Sequence, residues 1–101
     1  MRGAFLDQAV TALQSHRAHI DDMKSEIETA VLGGTEFNNT APALNRIANG
    51  VLDCKGSIHL VGTFGDEDPF PLALKQAVGD MLQSVIDCTN ALLSVEQTKP
   101  R

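Results

Sequence analysis

His16 and His19 stand three residues apart, and Asp22 follows three further on. On a helix that spacing sets two imidazoles and a carboxylate along one ridge, a donor set that zinc or copper accepts. Two more candidate ligands, Cys54 and His59, lie later in the chain. Whether they join the ridge depends on the helices that would bring them level with it.

Those helices are written in the periodicity. Leu6, Leu13, Ile20 and Ile27 are seven apart, and Ala9, His16, Met23 and Ala30 follow each of them by three. This is an a/d heptad pattern, the mark of coiled-coil-like packing. It predicts a first helix over about 4–32, roughly 43 Å long at 1.5 Å per residue, stopped by Gly33 and Gly34. In TEFNNTAP, Asn39 or Thr40 serves as N-cap with Pro42 in the first turn. A second heptad, Leu44, Val51 and Ile58 with Ile47, Cys54 and Val61, predicts a helix over about 41–61. Gly50 and Gly56 weaken it by about 1 kcal/mol each relative to Ala, so Cys54-Lys55-Gly56-Ser57 is the place for a kink or break.

After a loop from Gly62, Asp68-Pro69 reads as N-cap and first helical residue, with Asp66 and Glu67 also suiting a helix N-terminus. The third helix is expected over about 69–96. Its stripe of Leu74, Val78, Met81, Val85, Cys88, Leu92 and Val95 alternates steps of four and three. Leu82, Ile86 and Leu93 widen that stripe on one flank, which implies two neighbours, either both other helices or a second subunit. The fold expected is all-α: one domain over 1–96, an antiparallel three-helix up-down-up bundle with heptad packing that associates into a larger helical assembly. A polar tail, 97–101, should fray.

An antiparallel hairpin between the first two helices, with its ends at about 32 and 41, sets His19 opposite Cys54 and His16 near Ser57, with His59 within a turn. One level of the bundle then holds the four candidate ligand or metal residues, His16, His19, Cys54 and His59. Against a metal stand the b position of His59, which points it outward, and the lack of Cys-x-x-Cys or Glu-x-x-His. His16, polar at a d position, is first a residue that sets register or oligomeric state. The second hairpin leaves Cys54 and Cys88 about 16 Å apart along the helices, beyond the roughly 7 Å between Cα atoms that a disulfide spans. Both read as buried, inert thiols.

Composition removes several function classes. Eight Lys and Arg against thirteen Asp and Glu give a net charge of −5, and the basic residues form no cluster, so nucleic acid is not an expected partner. There is no Trp or Tyr to stack on flat ligands. The N-terminal MRGAFLDQAV holds no long apolar run, and no stretch reaches the roughly 20 residues of a membrane span. With only two cysteines, the compartment expected is the cytoplasm. GGTEFNN has neither the lysine nor the spacing of a phosphate loop, and no cofactor is implied.

Lys55-Gly56-Ser57, with Gly62 after it, resembles the Lys-Gly-Ser…Gly stretch of histidine phosphotransfer domains, which are helical bundles of similar size. The resemblance covers fewer than ten residues and implies a degenerate member, because Leu52 stands where that family carries its phospho-accepting histidine. In length and acidity the chain also looks like the helical-hairpin proteins of type VII secretion, without their Trp-x-Gly turn or tyrosine-containing tail. The function expected is non-enzymatic: a self-associating helical protein working through a protein partner, as adaptor, secretion chaperone or inhibitor. A small-molecule or metal sensor using the His/Cys layer is the alternative. Phe64 and Phe70, flanking Gly65–Pro69, are candidate partner contacts.

Overall fold

No glycine or proline interrupts residues 4–32, and a single helix, α1 (Arg2–Leu32), runs through them. It ends at Gly33-Gly34, where Gly34 takes a left-handed φ of 69° that a side chain would oppose. In the computed structural model, which describes residues 2–34 and 37–98, three further helices complete the chain: α2 (Thr40–Asp53), α3 (Lys55–Phe64) and α4 (Leu72–Thr98). The protein is all-helical, with no strand among the described residues. No helix among them is long and apolar enough to cross a membrane.

The expected count of three helices is corrected to four. The segment expected as one helix over 41–61 breaks at Cys54, whose N–H reaches both the Gly50 and the Val51 carbonyls at 3.2 Å. Its backbone (φ −104°, ψ 12°) lies outside the helical range, and the chain re-enters a helix when Ile58 N–H donates to the Cys54 carbonyl. Gly50 and Gly56 on either side lower the cost of leaving the helix there.

The start of the last helix also moves. Pro69 does not open α4, because Pro71 disfavours helical backbone at Phe70 before it. The first bond of α4 is Lys75 N–H to the Pro71 carbonyl, and the helix begins at Leu72. At its other end α4 continues through Gln97 and Thr98; the rest of the expected frayed tail, 99–101, lies outside the described residues, as do Thr35 and Glu36 of the first turn. Asn39 is the N-cap of α2, through its carbonyl to Ala43 N–H and without a side-chain bond.

Packing is dominated by α1 against α4. Val10, Gln14 and Arg17 share a cleft with Ala73, Gln76, Ala77 and Asp80. Farther along, Lys24, Ile27 and Leu32 share another with Asp87, Ala91 and Ser94. Numbers rise together, so the two long helices run in the same direction. The α1 heptad is the core on one side, with Leu13 and Ile27 at most 1% exposed and Ile20 and Met23 also buried. From α4 come Leu74, Val78, Met81, Cys88, Leu92 and Val95. Complete burial of a side chain such as Leu13 or Met81 stabilises by about 1.5–3 kcal/mol.

The flank that α4 buries beside its a/d stripe is Ala77 and Ser84, with half-buried Ala91 seven residues on. These short side chains let α1 approach closely. The opposite flank, expected to be covered by the other helices or by a second subunit, is not covered within the chain: Leu82 is half-buried, and Ile86 and Leu93 are more than half exposed.

On α2 the buried line is Ala43, Ile47 and Gly50, continued by Cys54, so Leu44 turns outward. α3 buries no residue fully and rests Ile58 and Val61 on the core. The molecule measures 53 × 22 × 19 Å, with a Cα radius of gyration of 15.9 Å. A compact domain of this length has about 13 Å. The extra length comes from two long helices with little to cover their outer faces.

Candidate functional site

The two histidines of the sequence ridge do come together, in a cleft of about 530 Å³ between α1 and α2. α1 contributes His16, His19, Asp22 and Glu26, with Ile20 and Met23 at the floor; α2 contributes Arg46, Asn49, Gly50 and Asp53. Lower numbers on α1 meet higher numbers on α2, so these helices are antiparallel here.

Gly50 sets the depth of this contact. A Cβ placed on it would stand 3.4 Å from His16 Nδ1 and 3.7 Å from His16 Cβ, so the imidazole lies on the bare backbone of α2. From that seat His16 Nε2 reaches to 3.8 Å from Asp53 Oδ2, an ion pair when the imidazole is protonated. The His16 side chain is 28% exposed and the Asp53 side chain 67%, so the pair sits at a wet rim and is worth at most about 1 kcal/mol.

The expected register, His19 opposite Cys54 and His16 near Ser57, is corrected: His16 faces Gly50 and Asp53. After Gly34 the chain does not enter a helix at once. The connection is as long as expected, but Phe37–Asn39 are non-helical and run back beside α1, with Phe37 buried and sharing a cleft with Met23 and Glu26. α2 therefore starts at Thr40 below the end of α1, and every later residue lies farther toward the start of α1. Cys54 is buried at the α2–α3 joint and His59 is exposed on α3; neither lines the cleft. The four residues therefore do not form one layer. Among the described residues, no group of three or more His, Cys, Asp or Glu is placed to hold a metal ion. The cleft offers both signs of charge, since Arg46, Asp22, Glu26 and Asp53 line it together with the two imidazoles. That lining suits a small polar ligand better than a dehydrated cation.

Both thiols are free and buried. Burial pushes the Cys54 thiol up from its ordinary value, and the Asp53 carboxylate pushes the same way. Burial also raises Cys88; Lys24 opposes this and Asp21 adds to it. A nucleophilic cysteine needs the opposite shift.

Phe64 and Phe70 part company. Phe70 is half-buried against the core, while Phe64, the last residue of α3, is 43% exposed. Between them Lys75 of α4 caps α3, its ammonium donating to the Gly65 carbonyl at 3.2 Å and to Asp66 Oδ1 at 3.3 Å. A cation at the carbonyl end of a helix is favourably placed.

Sequence reasoning did not find Gly50 as a seat, nor Arg46, Asn49 and Asp53 as cleft residues. The available signal was a glycine at an otherwise costly position inside a helix. Ile86 and Leu93, expected to widen the buried face, are exposed on α4 together with Leu72, while Leu82 beside them is half-buried against the core. No protein-family model matches the chain, and comparison with characterised proteins and with solved structures found no match.

Proposed function

We propose that the chain is a non-enzymatic helical protein that acts by binding other protein chains, itself first among them, as an adaptor, secretion chaperone or inhibitor of a larger assembly. The observation that carries this reading is the apolar surface left open. Phe5, Leu32, Leu52, Leu72, Ile86 and Leu93 are each more than half exposed, distributed over three helices of a bundle only 22 × 19 Å across. Scattered apolar residues on a surface are ordinary, but a heptad-spaced set on one helix is the shape that a partner helix fits.

In this reading α2 and α3 together form the middle limb of an up-down-up bundle, and the missing neighbours of α4 are supplied by the assembly. Two thiols held in their neutral form fit a reducing cytoplasm and argue against covalent catalysis. The phosphotransfer-like stretch lends no chemistry, since exposed Leu52 cannot accept phosphate.

Light scattering on purified protein at micromolar concentration tests the reading: a dimer or larger species is expected, and a clean monomer would sink self-association. The α1–α2 cleft favours a second reading, a small-molecule sensor using His16 and His19. A thermal shift with a small zwitterion that disappears in His16→Ala and Arg46→Ala supports it; no shift across a panel of polar metabolites removes it. Zinc or copper producing the shift instead would favour the metal form of the sensor.

A further inference from the structure

The cleft between α1 and α2 holds charges that the fold itself does not use. Asp22, Glu26 and Arg46 all line it, yet among the described residues none of the three enters an ion pair or a side-chain hydrogen bond. On the neighbouring faces of α1 the acids are compensated at four-residue spacing, Asp21 by Arg17 at 3.6 Å and Glu28 by Lys24 at 3.4 Å. Asp22 and Glu26 have that same spacing but the same sign, an arrangement that weakens a helix. Asp53, the third carboxylate of the cleft, already has His16 Nε2 at 3.8 Å.

Beneath these charges the cleft is apolar. Ile20 and Met23, both buried, form its floor, and Gly50 adds bare backbone. The volume of about 530 Å³ is that of a small-molecule site. Unpaired charges of both signs above an apolar floor match a molecule with charged ends and an aliphatic stem.

We propose that this cleft binds a free amino acid with a cationic side chain. The proposal rests on the small-molecule sensor reading and names the ligand class. Arg46 takes the α-carboxylate, which its fork of N–H donors fits in two-pronged fashion. Asp22 and Glu26, one turn apart, take the two cationic nitrogens, and the aliphatic stem lies on Ile20 and Met23. One carboxylate and two cations on the ligand then balance one guanidinium and two carboxylates on the protein. A phosphate would meet three carboxylates here. A diamine would leave Arg46 unmatched, and a neutral amino acid would leave one of the two acids bare.

Calorimetric titration of the full chain with L-lysine, L-norleucine and cadaverine is the test, since norleucine lacks the side-chain cation and cadaverine lacks the carboxylate. Lysine should bind, and each of the other two should bind more weakly by about tenfold or more, the effect of losing one charged contact. Arg46→Gln should bring lysine down to the level of cadaverine and leave cadaverine unchanged. Glu26→Gln should weaken lysine and cadaverine alike. Both side chains are exposed, so both variants should keep or raise the melting temperature of the unliganded protein, which separates lost binding from lost folding. Norleucine or cadaverine binding as tightly as lysine, or lysine indifferent to both substitutions, overturns the proposal. Absence of lysine binding overturns it as well. A thermal shift with another polar compound, lost in His16→Ala, then leaves the sensor reading standing, and no shift with any removes both.

Discussion

The α1–α4 pair and the α2–α3 limb are built from the same heptad vocabulary and end up differently. In the pair, unbroken helices meet along Leu13, Ile20, Met23 and Ile27 on one side and Val78, Met81, Cys88 and Leu92 on the other, all buried. In the limb, a glycine-flanked break leaves α3 with no fully buried residue and α2 with only Ala43, Ile47 and Gly50. Period alone does not make a core. Continuity keeps the apolar line aimed at one neighbour, and a break turns the residues beyond it toward another.

The comparison can be broken most forcefully from the pair. Met81→Ala should cost about 2–5 kcal/mol in a urea melt, because the site is fully enclosed and cannot collapse around the void. Ile58→Ala on half-buried α3 should cost about half as much; equal losses would show that the limb is as tightly packed as the pair. Next in size is Gly50→Leu, expected to lose about 1–3 kcal/mol by driving His16 off its seat. The loss should shrink when His16→Ala is combined with it. Gly56→Ala goes the other way and should gain about 0.5–1 kcal/mol, since a Cβ there meets nothing within 4 Å and the residue is inside a helix. No gain would mean that the limb needs flexibility at that point.

The smallest effect is one of pH. Both thiols are raised in the fold, so below the ordinary thiol value of 9.0 they are neutral in both states and do not change stability. As pH rises through that value, the unfolded chain releases protons that the folded chain still holds, and stability must fall. Urea midpoints should therefore stay level, as far as these thiols are concerned, below the thiol range and decline above it. In Cys88→Ala the decline should be shallower on a lower baseline. An unchanged slope in that variant would place the titrating group elsewhere.

Much of this architecture was readable from the residues. The seam of α1, its stop at Gly33-Gly34, the a/d stripe of α4 and the fragility around Cys54 come from spacing and from the effect of glycine on a helix. Helix starts were harder. Asp68-Pro69 has good N-terminal chemistry, yet Pro71 two residues later disfavours helix at Phe70, so a second local rule overrode the first. The site was half legible: His16 and His19 share a cleft because they share a helix, and spacing within one helix is a local property. Cys54 and His59 were placed by taking the second helix to start level with the end of the first, and the buried return of Phe37 alongside Met23 and Glu26 shifted the register between the helices.

The division falls where local and long-range physics part. By itself the sequence determined that the chain is helical, which stripe of α1 and of α4 is apolar, and where the backbone is weakest. Backbone propensity and a 3.6-residue turn act over a few residues and need no neighbour. Only the tertiary structure decided that His16 lies on Gly50, that Asp53 rather than Ser57 faces it, and which flank of α4 is covered. Ala77 and Ser84 admit α1 closely because they are short, so the bulkier Ile86 and Leu93 are left outside. That choice depends on how two helices fit together, which no single helix contains.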